Sequence, residues 1–317
     1  MQKKHVIVYG LGMEYEKQKY FIEDEWSIVC YADKKEDKPM SIRGGQLYIL
    51  PSEISKQSYE YIYITTEKFA EEIEEELISK YNIPQNKILK PKDAWWYVKN
   101  AEYRHEWIKK ELAKLPKGSC ILDAGAGNMR YKKYCGHLQY KAQDFGQYDP
   151  YSEGKWHSRS VDIICDITSI PLENESQDCV LCTEVLEHVK EPIAVIKEFS
   201  RLLRKGGVLL LTVPFCCPTH MEPFFFSNGF SKFWYEVHLK EQGFKIEEIV
   251  SIGNWFSYVT QELERFPEIC KKYGIDYSLQ DMKAIMNCVR NFIIKSKNDE
   301  QSSEFLCFGY LVKAVRT

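Results

Sequence analysis

Short apolar runs alternate with longer polar stretches along the first ninety residues of the chain. The apolar runs predict strands at residues 6–9, 26–32, 47–50, 61–65 and 87–89. The polar stretches between them, such as residues 67–81, predict helices. Strands that alternate with helices form parallel sheets with helices packed on their faces. Residues 1–91 are therefore predicted to form a small α/β domain.

A second alternation of the same kind begins at Cys120 and continues to about Val315. Between the two lies a stretch with helical periodicity and neither Gly nor Pro, which Pro116 and Gly118 end. The pattern predicts a connecting helix over residues 92–116 and a second α/β domain over residues 117–317. A length of 317 residues also suits two domains of about 150 residues each.

Composition and charge narrow the classes of function. The chain has 43 Lys and Arg residues against 46 Asp and Glu residues, so a net charge of −3 gives no strong field for a polyanion. The longest apolar stretch, residues 208–217, is interrupted by Thr212 and Pro214 and is shorter than the roughly 18 residues that span a bilayer. An odd number of cysteines, 11, mostly inside apolar runs, indicates reduced, buried thiols. We expect a soluble cytoplasmic protein.

A glycine-rich turn carries the first chemical signal. Residues 121–128 read Ile-Leu-Asp-Ala-Gly-Ala-Gly-Asn, a buried strand that enters a turn containing Gly125 and Gly127. Glycine permits positive φ and lets a ligand approach the backbone closely. A helix is expected to start near Met129, where its free N–H groups could bind an anionic group.

Acidic residues end three further predicted strands downstream of Asp123. Asp144 follows 21 residues later, Asp166 22 residues after that, and Glu184 a further 18 residues on. In open α/β sheets, ligands bind at the carboxyl edge of the strands, and an acid at the second strand end can accept hydrogen bonds from a ribose diol. Each acid alone could be a helix cap, but together they indicate a cofactor site.

Four segments in this order resemble the class I S-adenosylmethionine (SAM)-dependent methyltransferases of type 11. They are residues 121–127, 165–172, 178–189 and 202–214. The resemblance covers about residues 117–317. It implies a seven-stranded, mostly parallel sheet with an antiparallel strand near the end, supplied by residues 305–312. It also implies SAM as cofactor and S-adenosylhomocysteine as product.

The cofactor contacts that the resemblance implies follow the strand ends. Asp123, Ala124, Gly125 and Gly127 would line the methionine end of the cofactor, Asp144 would hold the ribose hydroxyls, Phe145 would pack near the adenine, Asp166 and Ile167 would contact the adenine edge, and Thr183 and Glu184 would face the sulfonium.

Two histidines are candidates for a general base. His188 follows the fourth strand of the second domain and His220 follows the fifth, so both can reach the methyl acceptor, and Glu187 is their acidic neighbour. With Glu184, these residues could also ligate Mg²⁺ or Mn²⁺. Some relatives that resemble this pattern use such a metal and many do not, so we expect catalysis without a metal. Structural hydrogen bonding is the alternative role for each histidine.

The first domain resembles the Rossmann-like domain at the front of some sugar N-acetyltransferases and other bacterial glycan enzymes, where it can bind a nucleotide-sugar. Gly10, Gly12 and Asp33 would be its contacts. Tyr15 stands where a dinucleotide fingerprint has its third glycine, which argues against NAD. A docking or homodimerisation domain without a ligand is the alternative.

These observations predict a SAM-dependent methyltransferase acting on a hydroxyl or amine of a sugar, nucleotide-sugar or related small molecule in bacterial surface-glycan biosynthesis. The aromatic residues in segment 220–235 could stack on a sugar ring. An RNA 2′-O-methyltransferase is the alternative enzyme. It is disfavoured by the slight acidity, although Arg130, Lys132 and Lys133 could form a local basic patch. A non-catalytic binding protein of the same fold is the third possibility.

Overall fold

The computed structural model describes residues 3–96, 100–147 and 161–317. The helices in these parts of the chain are α1 (Met13–Glu25), α2 (Ala70–Tyr81), α3 (Asn100–Ala113), α4 (Pro192–Leu202), α5 (Lys232–Glu241), α6 (Trp255–Glu264), α7 (Phe266–Tyr273) and α8 (Leu279–Lys295). The strands are β1 (His5–Tyr9), β2 (Ser27–Ala32), β3 (Met40–Arg43), β4 (Gln46–Ile49), β5 (Tyr61–Ile64), β6 (Ile88–Leu89), β7 (Cys120–Ala124), β8 (Gln139–Asp144), β9 (Ile163–Ile164), β10 (Gln177–Thr183), β11 (Leu203–Pro214), β12 (Phe244–Ile252) and β13 (Gly309–Arg316).

The chain forms two compact α/β units, and each contains one sheet. The first unit comprises Met1–Lys99 and Val259–Asn298, and the second comprises Asn100–Tyr258 and Asp299–Thr317. Within the described residues, no helix combines the length and the apolar character needed to cross a membrane.

The sheet of the first unit has the strand order β3-β4-β2-β1-β5-β6. Its strands are parallel except for β3, which the sequence analysis did not predict and which pairs antiparallel with β4. Gly44 and Gly45 join the two strands at φ angles of +56° and +78°, the left-handed conformation of a tight hairpin turn. The expected all-parallel sheet is therefore a mixed one.

Helices cover both faces of this sheet because the residues of β1 alternate between two cores. Ile7 packs in a cluster with Leu77 of α2. Val8 packs in another with Phe21 of α1 and Val289 of α8. All five side chains are at most 1% exposed, so β1 is buried from both faces, as central parallel strands are.

The division of the chain differs from the predicted boundaries. Residues 117–317 were expected in one domain, but Val259–Asn298 belongs to the first unit. The physical reason is the apolar face of α8, whose Val289 is fully buried in the first unit's core. In the predicted connecting helix, Pro91–Asp93 is instead a 3-10 turn, α3 begins at Asn100, and residues 97–99 lie outside the described parts of the chain.

The second unit has a seven-stranded sheet in the order β12-β13-β11-β10-β7-β8-β9. Strand β13 runs antiparallel to both of its neighbours, β11 and β12, and the other pairings are parallel. This confirms the predicted class I methyltransferase sheet, although the last strand starts at Gly309 rather than Phe305.

Amphipathic helices pack on both faces of this second sheet. Phe199 and Leu202 of α4 are fully buried on one face, and Ile108 and Leu112 of α3 are fully buried on the other. Strands β7, β8, β9, β10 and β11 are parallel and so end at one edge. The predicted cofactor residues follow these ends.

Candidate active site

The turn after β7 has the close backbone approach that its glycines suggested. Gly125 has φ +74°, and a Cβ added there would lie 2.4 Å from Cγ2 of Val185. No side chain fits at this position without displacing Val185. Gly127 also has a positive φ, +52°, but it is exposed and a Cβ there would meet open space. The turn therefore leaves room for a ligand at Gly127.

The expected helix near Met129 is wrong. Met129 has φ +53°, which a helix does not allow, and the chain continues into a short 3-10 turn at Lys132–Tyr134. The N–H groups of residues 125 and 126 both donate to the carbonyl oxygen of Gln143 at 2.9 Å. The N–H of Met129, where the helix was expected to start, donates to the carbonyl oxygen of Ala126 at 2.8 Å, so the expected free helix terminus is not formed.

Asp144 holds the glycine turn through its carboxylate. Its Oδ2 accepts the N–H of Gly127 at 2.9 Å, and its Oδ1 accepts the N–H of Gly146 at 3.0 Å. The side chain is 5% exposed. Each carboxylate oxygen has a further lone pair, so the group can still accept two hydroxyl hydrogens, as its predicted ribose role requires.

Asp123 is more deeply buried than a residue facing an open ligand pocket, at 2% exposed. Its Oδ2 accepts the hydroxyl of Tyr140 at 2.6 Å. Burial raises the pKa of Asp123 to about 6, the Tyr140 hydrogen bond opposes this, and the charge of Asp144 adds to it. Asp123 thereby ties β7 to β8 in addition to its predicted place at the methionine end.

The predicted adenine side is formed by Phe145, Asp166 and Ile167. The Thr168 N–H and hydroxyl both donate to Oδ1 of Asp166, at 2.8 and 2.7 Å, and hold the pKa of that exposed carboxyl below its usual range. Ile167 is buried. Phe145 meets the ring of Phe224 edge to face at 5.1 Å. An acceptor and apolar surface suit an adenine amine and ring.

Glu184, beside Thr183 at the end of β10, is fixed by two neighbours. It has φ +55°, its Oε1 accepts the Thr212 hydroxyl at 3.0 Å, and its Oε2 pairs with Nη1 of Arg104 at 2.7 Å. Sequence reasoning missed Arg104, because it lies on the predicted connecting helix and no local pattern links it to Glu184. Gln143 was also missed, although its place beside Asp144 at a strand end was a usable signal.

Glu187 is a buried carboxylate without a partner. It sits in the short 3-10 turn Leu186–His188, is 1% exposed, and neither of its carboxylate oxygens has a hydrogen-bond partner. Burial raises the pKa of Glu187 to about 8, and the charge of Glu184 adds to the effect. A buried carboxyl group without hydrogen bonds lowers the stability of the fold, because its desolvation is not offset.

His188 presents an unprotonated nitrogen to this carboxylate. Its Nδ1 lies 2.6 Å from the carbonyl oxygen of Phe224. Because a carbonyl can only accept, Nδ1 carries the proton and Nε2 keeps its lone pair in the neutral ring. Nε2 lies 3.6 Å from Oε1 of Glu187. Burial lowers the pKa of His188, so the ring is a neutral proton acceptor near pH 7.

His220 joins the same cluster, as the sequence predicted. Its ring centroid lies 4.7 Å from that of His188, edge to face, and 5.1 Å from that of Phe225. Its Nδ1 donates to the carbonyl oxygen of Pro218 at 2.9 Å, which again leaves Nε2 as an acceptor. His220 is exposed, unlike His188. It can therefore contact an acceptor that approaches from solvent.

Glu187, His188 and His220 could also hold a divalent cation. Each offers one ligand atom, and these atoms lie within 4.8 Å of one another. Glu184, the fourth ligand in the predicted set, is instead engaged by Arg104 and Thr212. What the structure brings together is thus a set of two imidazoles and one carboxylate.

In the first unit, the turn that contains Gly10 and Gly12 follows β1, and Asp33, which follows β2, lies beside it. Asp33 accepts the N–H of Leu11 through Oδ2 and that of Lys35 through Oδ1, both at 2.9 Å. Gly10 has φ +90°, and a Cβ there would lie 3.0 Å from the Thr65 hydroxyl. Both carboxylate oxygens of Asp33 thus stabilise the turn, as those of Asp144 do in the second unit, and each oxygen keeps a further lone pair.

Comparison with known families identifies the part of the chain that carries the site. Residues 122–211 match the family described as a methyltransferase domain. The matched residues lie within the second unit, and the match supports SAM-dependent methyltransferase activity there. Residues 2–89 match the family described as C2185-like, N-terminal. That match does not confirm the predicted likeness to sugar acetyltransferases.

Curated relatives match only parts of the chain. A tRNA (carboxymethyluridine(34)-5-O)-methyltransferase of Xenopus tropicalis is 33% identical over 107 residues, covering 32% of this chain and 16% of the relative. An uncharacterised protein of Mycobacterium tuberculosis is 25% identical over 136 residues, covering 39% of this chain and 44% of the relative. The chain thus spans less than half of these relatives.

Solved structures show more distant likeness. A geranyl diphosphate C-methyltransferase of Streptomyces coelicolor, in complex with Mg²⁺, geranyl diphosphate and S-adenosyl-L-homocysteine, has a TM-score of 0.42 and 15% identity over 68% of this chain and 79% of its own. A SAM-dependent methyltransferase of Aquifex aeolicus has a TM-score of 0.35 and 18% identity over 46% of this chain and 82% of its own. Likeness at this level does not bear on substrate.

Proposed function

We propose that this protein transfers a methyl group from SAM to a hydroxyl or amine of a sugar, nucleotide-sugar or related small molecule, in surface-glycan biosynthesis. The observation that carries the proposal is the cluster of Glu187, His188 and His220 beside the strand ends of a methyltransferase domain. Methyl transfer to a hydroxyl of high pKa is helped by a positioned base, and His188 and His220 each have Nδ1 held by a backbone carbonyl, with Nε2 left to face an acceptor.

The donor half of the proposal assigns SAM to the carboxyl edge of the sheet. Gly127 gives open space, and Asp144 has lone pairs for the ribose hydroxyls. Asp166 and Phe145 lie on the proposed adenine side, and Glu184 with Thr183 faces the sulfonium. SAM supplies an electrophilic methyl on a good leaving group, so the protein mainly aligns the acceptor with that methyl.

The acceptor half assigns proton removal to His188, with His220 as a second contact for the acceptor. Proton uptake at Nε2 of His188 places the new positive charge 3.6 Å from the carboxyl group of Glu187, and this charge favours the ionised form of Glu187, which in turn stabilises it. Backbone carbonyls hold both rings through Nδ1, so the two acceptor nitrogens are fixed before substrate binds. No metal ion is needed in this scheme.

The small acceptor is supported by charge and by aromatic surface. A net charge of −3 does not favour a polyanion, and Phe225 beside His220 offers a ring face or edge to a sugar. The first unit would bind the nucleotide part through Gly10, Gly12 and Asp33. The matched region of the Xenopus relative, a tRNA methyltransferase, supports an RNA acceptor as the second candidate.

Tritium transfer from methyl-labelled SAM tests the proposal and separates these acceptors. We expect label to enter a low-molecular-weight product when nucleotide-diphosphate sugars are supplied. Label in bulk tRNA at physiological salt, with none in the sugars, would instead establish the RNA alternative. SAM binding by calorimetry without transfer to any class of acceptor would favour a non-catalytic binding protein.

A further inference from the structure

The first unit contains a cavity that the proposed function does not use. It has a volume of about 240 Å³ and lies between α1, the end of β5 and the C-terminal end of α6. Its lining includes Gln18, Phe21, Thr65, Trp96 and Glu264. An apolar cavity of about 150 Å³ is enough to bind benzene. This cavity therefore has room for a single ring with a short substituent.

One wall of the cavity is apolar and rigid. The rings of Phe21 and Trp96 stack at 5.6 Å with an interplanar angle of 27°. Both side chains are almost completely buried, at 1% and 3% exposed. A ring bound in the cavity would find preformed aromatic surface, so binding would not require these side chains to be ordered first.

Two polar residues of the lining already have hydrogen-bond partners within the protein. The Gln18 amide donates to the carbonyl oxygen of Thr65 at 2.9 Å and accepts the hydroxyl of Tyr63. The Thr65 hydroxyl donates to the carbonyl oxygen of Gly10 at 2.7 Å. These bonds fix the shape of the wall, and they leave the recognition of a ligand to other groups.

Glu264 is a lining residue with an unsatisfied hydrogen-bond acceptor. Its Oε1 is screened from solvent and has no hydrogen-bond partner. Burial raises the pKa of Glu264 to about 8, although Arg265 opposes the shift. A buried acceptor without a donor costs stability. Because Oε1 itself is not accessible, a ligand in the cavity would meet the accessible part of this half-buried side chain, where a positive charge would stabilise the ionised carboxylate.

The charges around the cavity favour a cationic donor. Lys17, which also lines it, pairs with Glu14 at 3.0 Å and with Glu268 at 3.3 Å. Arg265 lies 3.6 Å from Glu262. Both basic side chains thus have acidic partners of their own. Glu264 gains most from a ligand that carries a positive charge, because charge-assisted hydrogen bonds are about twice as strong as neutral ones.

We propose that this cavity binds a small organic ammonium ion, a primary amine carried by a single apolar ring, with the ammonium on Glu264 and the ring against Phe21 and Trp96. Gly10, Gly12 and Asp33 do not line this cavity, although Thr65 of its lining contacts Gly10, and the site does not depend on methyl transfer. Its ligand class follows from a carboxyl group with one oxygen that lacks a hydrogen-bond partner, from an aromatic wall, and from a volume above that of a benzene site.

Calorimetric titration of the full-length protein with benzylamine tests the site. Benzyl alcohol is the matched neutral probe, with the same ring and no charge. We expect saturable benzylamine binding, at least tenfold weaker benzyl alcohol binding, and loss of benzylamine binding in Glu264→Leu. Because that variant removes an unsatisfied carboxylate, its thermal midpoint without ligand should rise. Glu72→Gln, which removes the same charge from an exposed position on α2 outside the cavity lining, should bind as wild type does.

Three results would overturn the proposal. They are no saturable benzylamine binding, equal binding of the two probes, and unchanged benzylamine binding in Glu264→Leu. If Glu264→Leu does not fold, Glu264→Gln takes its place, since it keeps the shape of the side chain without the charge. Glu264→Gln should bind benzylamine at least tenfold more weakly than the wild type, and an unchanged affinity in this variant would also overturn the proposal.

Discussion

The Nδ1–H of His188 donates to the carbonyl oxygen of Phe224 across 2.6 Å. The ring of Phe224 in turn meets Phe145, which lies on the proposed adenine side, at 5.1 Å. The proposed base is therefore fixed by a residue that also contacts the proposed donor pocket. One segment of chain thus sets both the tautomer of the imidazole and its position relative to the cofactor.

Replacement of His188 should separate chemistry from donor binding. His188→Ala removes the proposed proton acceptor, so we expect the turnover number to fall about 10²- to 10⁴-fold. The SAM dissociation constant from calorimetry should change little. His238→Ala is the control, because His238 is a histidine on α5 that lies beside Glu241 at 3.1 Å and outside the cluster. An unchanged turnover number in His188→Ala would refute the assignment of His188 as base.

Asp144 should dominate the affinity for SAM. Asp144→Asn keeps one acceptor oxygen but loses the charge and one of the bonds to Gly127 and Gly146. We expect the SAM dissociation constant to rise about 10- to 100-fold, since a hydrogen bond to a charged group contributes about 1.5–3 kcal/mol. Asp178→Asn makes the same change at the amino end of β10 and should leave SAM affinity as it is. Equal affinities in both variants would contradict the donor site.

Arg104 should act by positioning Glu184. Arg104→Gln removes the ion pair at 2.7 Å and leaves a partly buried carboxylate next to Glu187. We expect the Michaelis constant for SAM to rise about tenfold, with a smaller effect on turnover. Arg204→Gln breaks an ion pair with Asp178 of the same length, and it should be neutral in this assay. A fall in turnover alone, without a change for SAM, would argue against a positioning role.

Chelation should not abolish methyl transfer. If His188 and His220 act as free bases, EDTA followed by desalting leaves turnover intact, and added Mn²⁺ does not increase it. Loss of activity on chelation with recovery on Mn²⁺ would instead make Glu187, His188 and His220 metal ligands, which their spacing permits. The measurement thus decides between two roles for the same three side chains.

His105 should make the second unit sensitive to acid. Its Nδ1 lies 2.7 Å from the hydroxyl of Tyr131, and Arg130 contacts Nε2. Burial, with the charges of Arg130 and Arg104, lowers the pKa of His105 from 6.5 to about 4. In the unfolded chain His105 is therefore protonated below about pH 6.5, whereas in the folded protein it is protonated only below about pH 4. The free energy of unfolding should therefore decrease as the pH is lowered from about 6.5 to about 4.

Urea unfolding at pH 7 and pH 5 measures this effect. We expect His105 to account for a loss on the order of 1 kcal/mol at pH 5. In His105→Gln, which cannot be protonated, the loss between the two pH values should be smaller by that amount. Equal losses in the two proteins would exclude His105 as a source of acid sensitivity.

The sequence predicted the parts of the fold that depend on regular patterns. Most strands of the two sheets, and the acids at their ends, were visible because buried parallel strands are short apolar runs, whereas the antiparallel β3 was not. The cluster of Glu187, His188 and His220 was visible because each residue follows a strand that ends at the same edge. These are consequences of local periodicity and of topology, and both can be read from a single chain.

Other features depended on contacts between residues far apart in the chain. The ion pair between Arg104 and Glu184 joins residues 80 positions apart. The positive φ of Met129 replaced an expected helix with a 3-10 turn, and Met is not a residue that signals this conformation. The membership of α8 in the first unit rests on the burial of Val289, which periodicity alone could not assign to one core or the other.

The division of the first unit between two stretches of chain has a consequence for how the protein is made. On the ribosome, β1 emerges early, but α8, which covers one of its faces, is synthesised only after nearly all of the second unit. The second sheet is likewise incomplete until the end of synthesis, because β13, the last strand of the chain, pairs between β11 and β12. Neither core can close during most of translation. A nascent chain stalled before residue 279 would expose both, and it would be a substrate for chaperones or proteases.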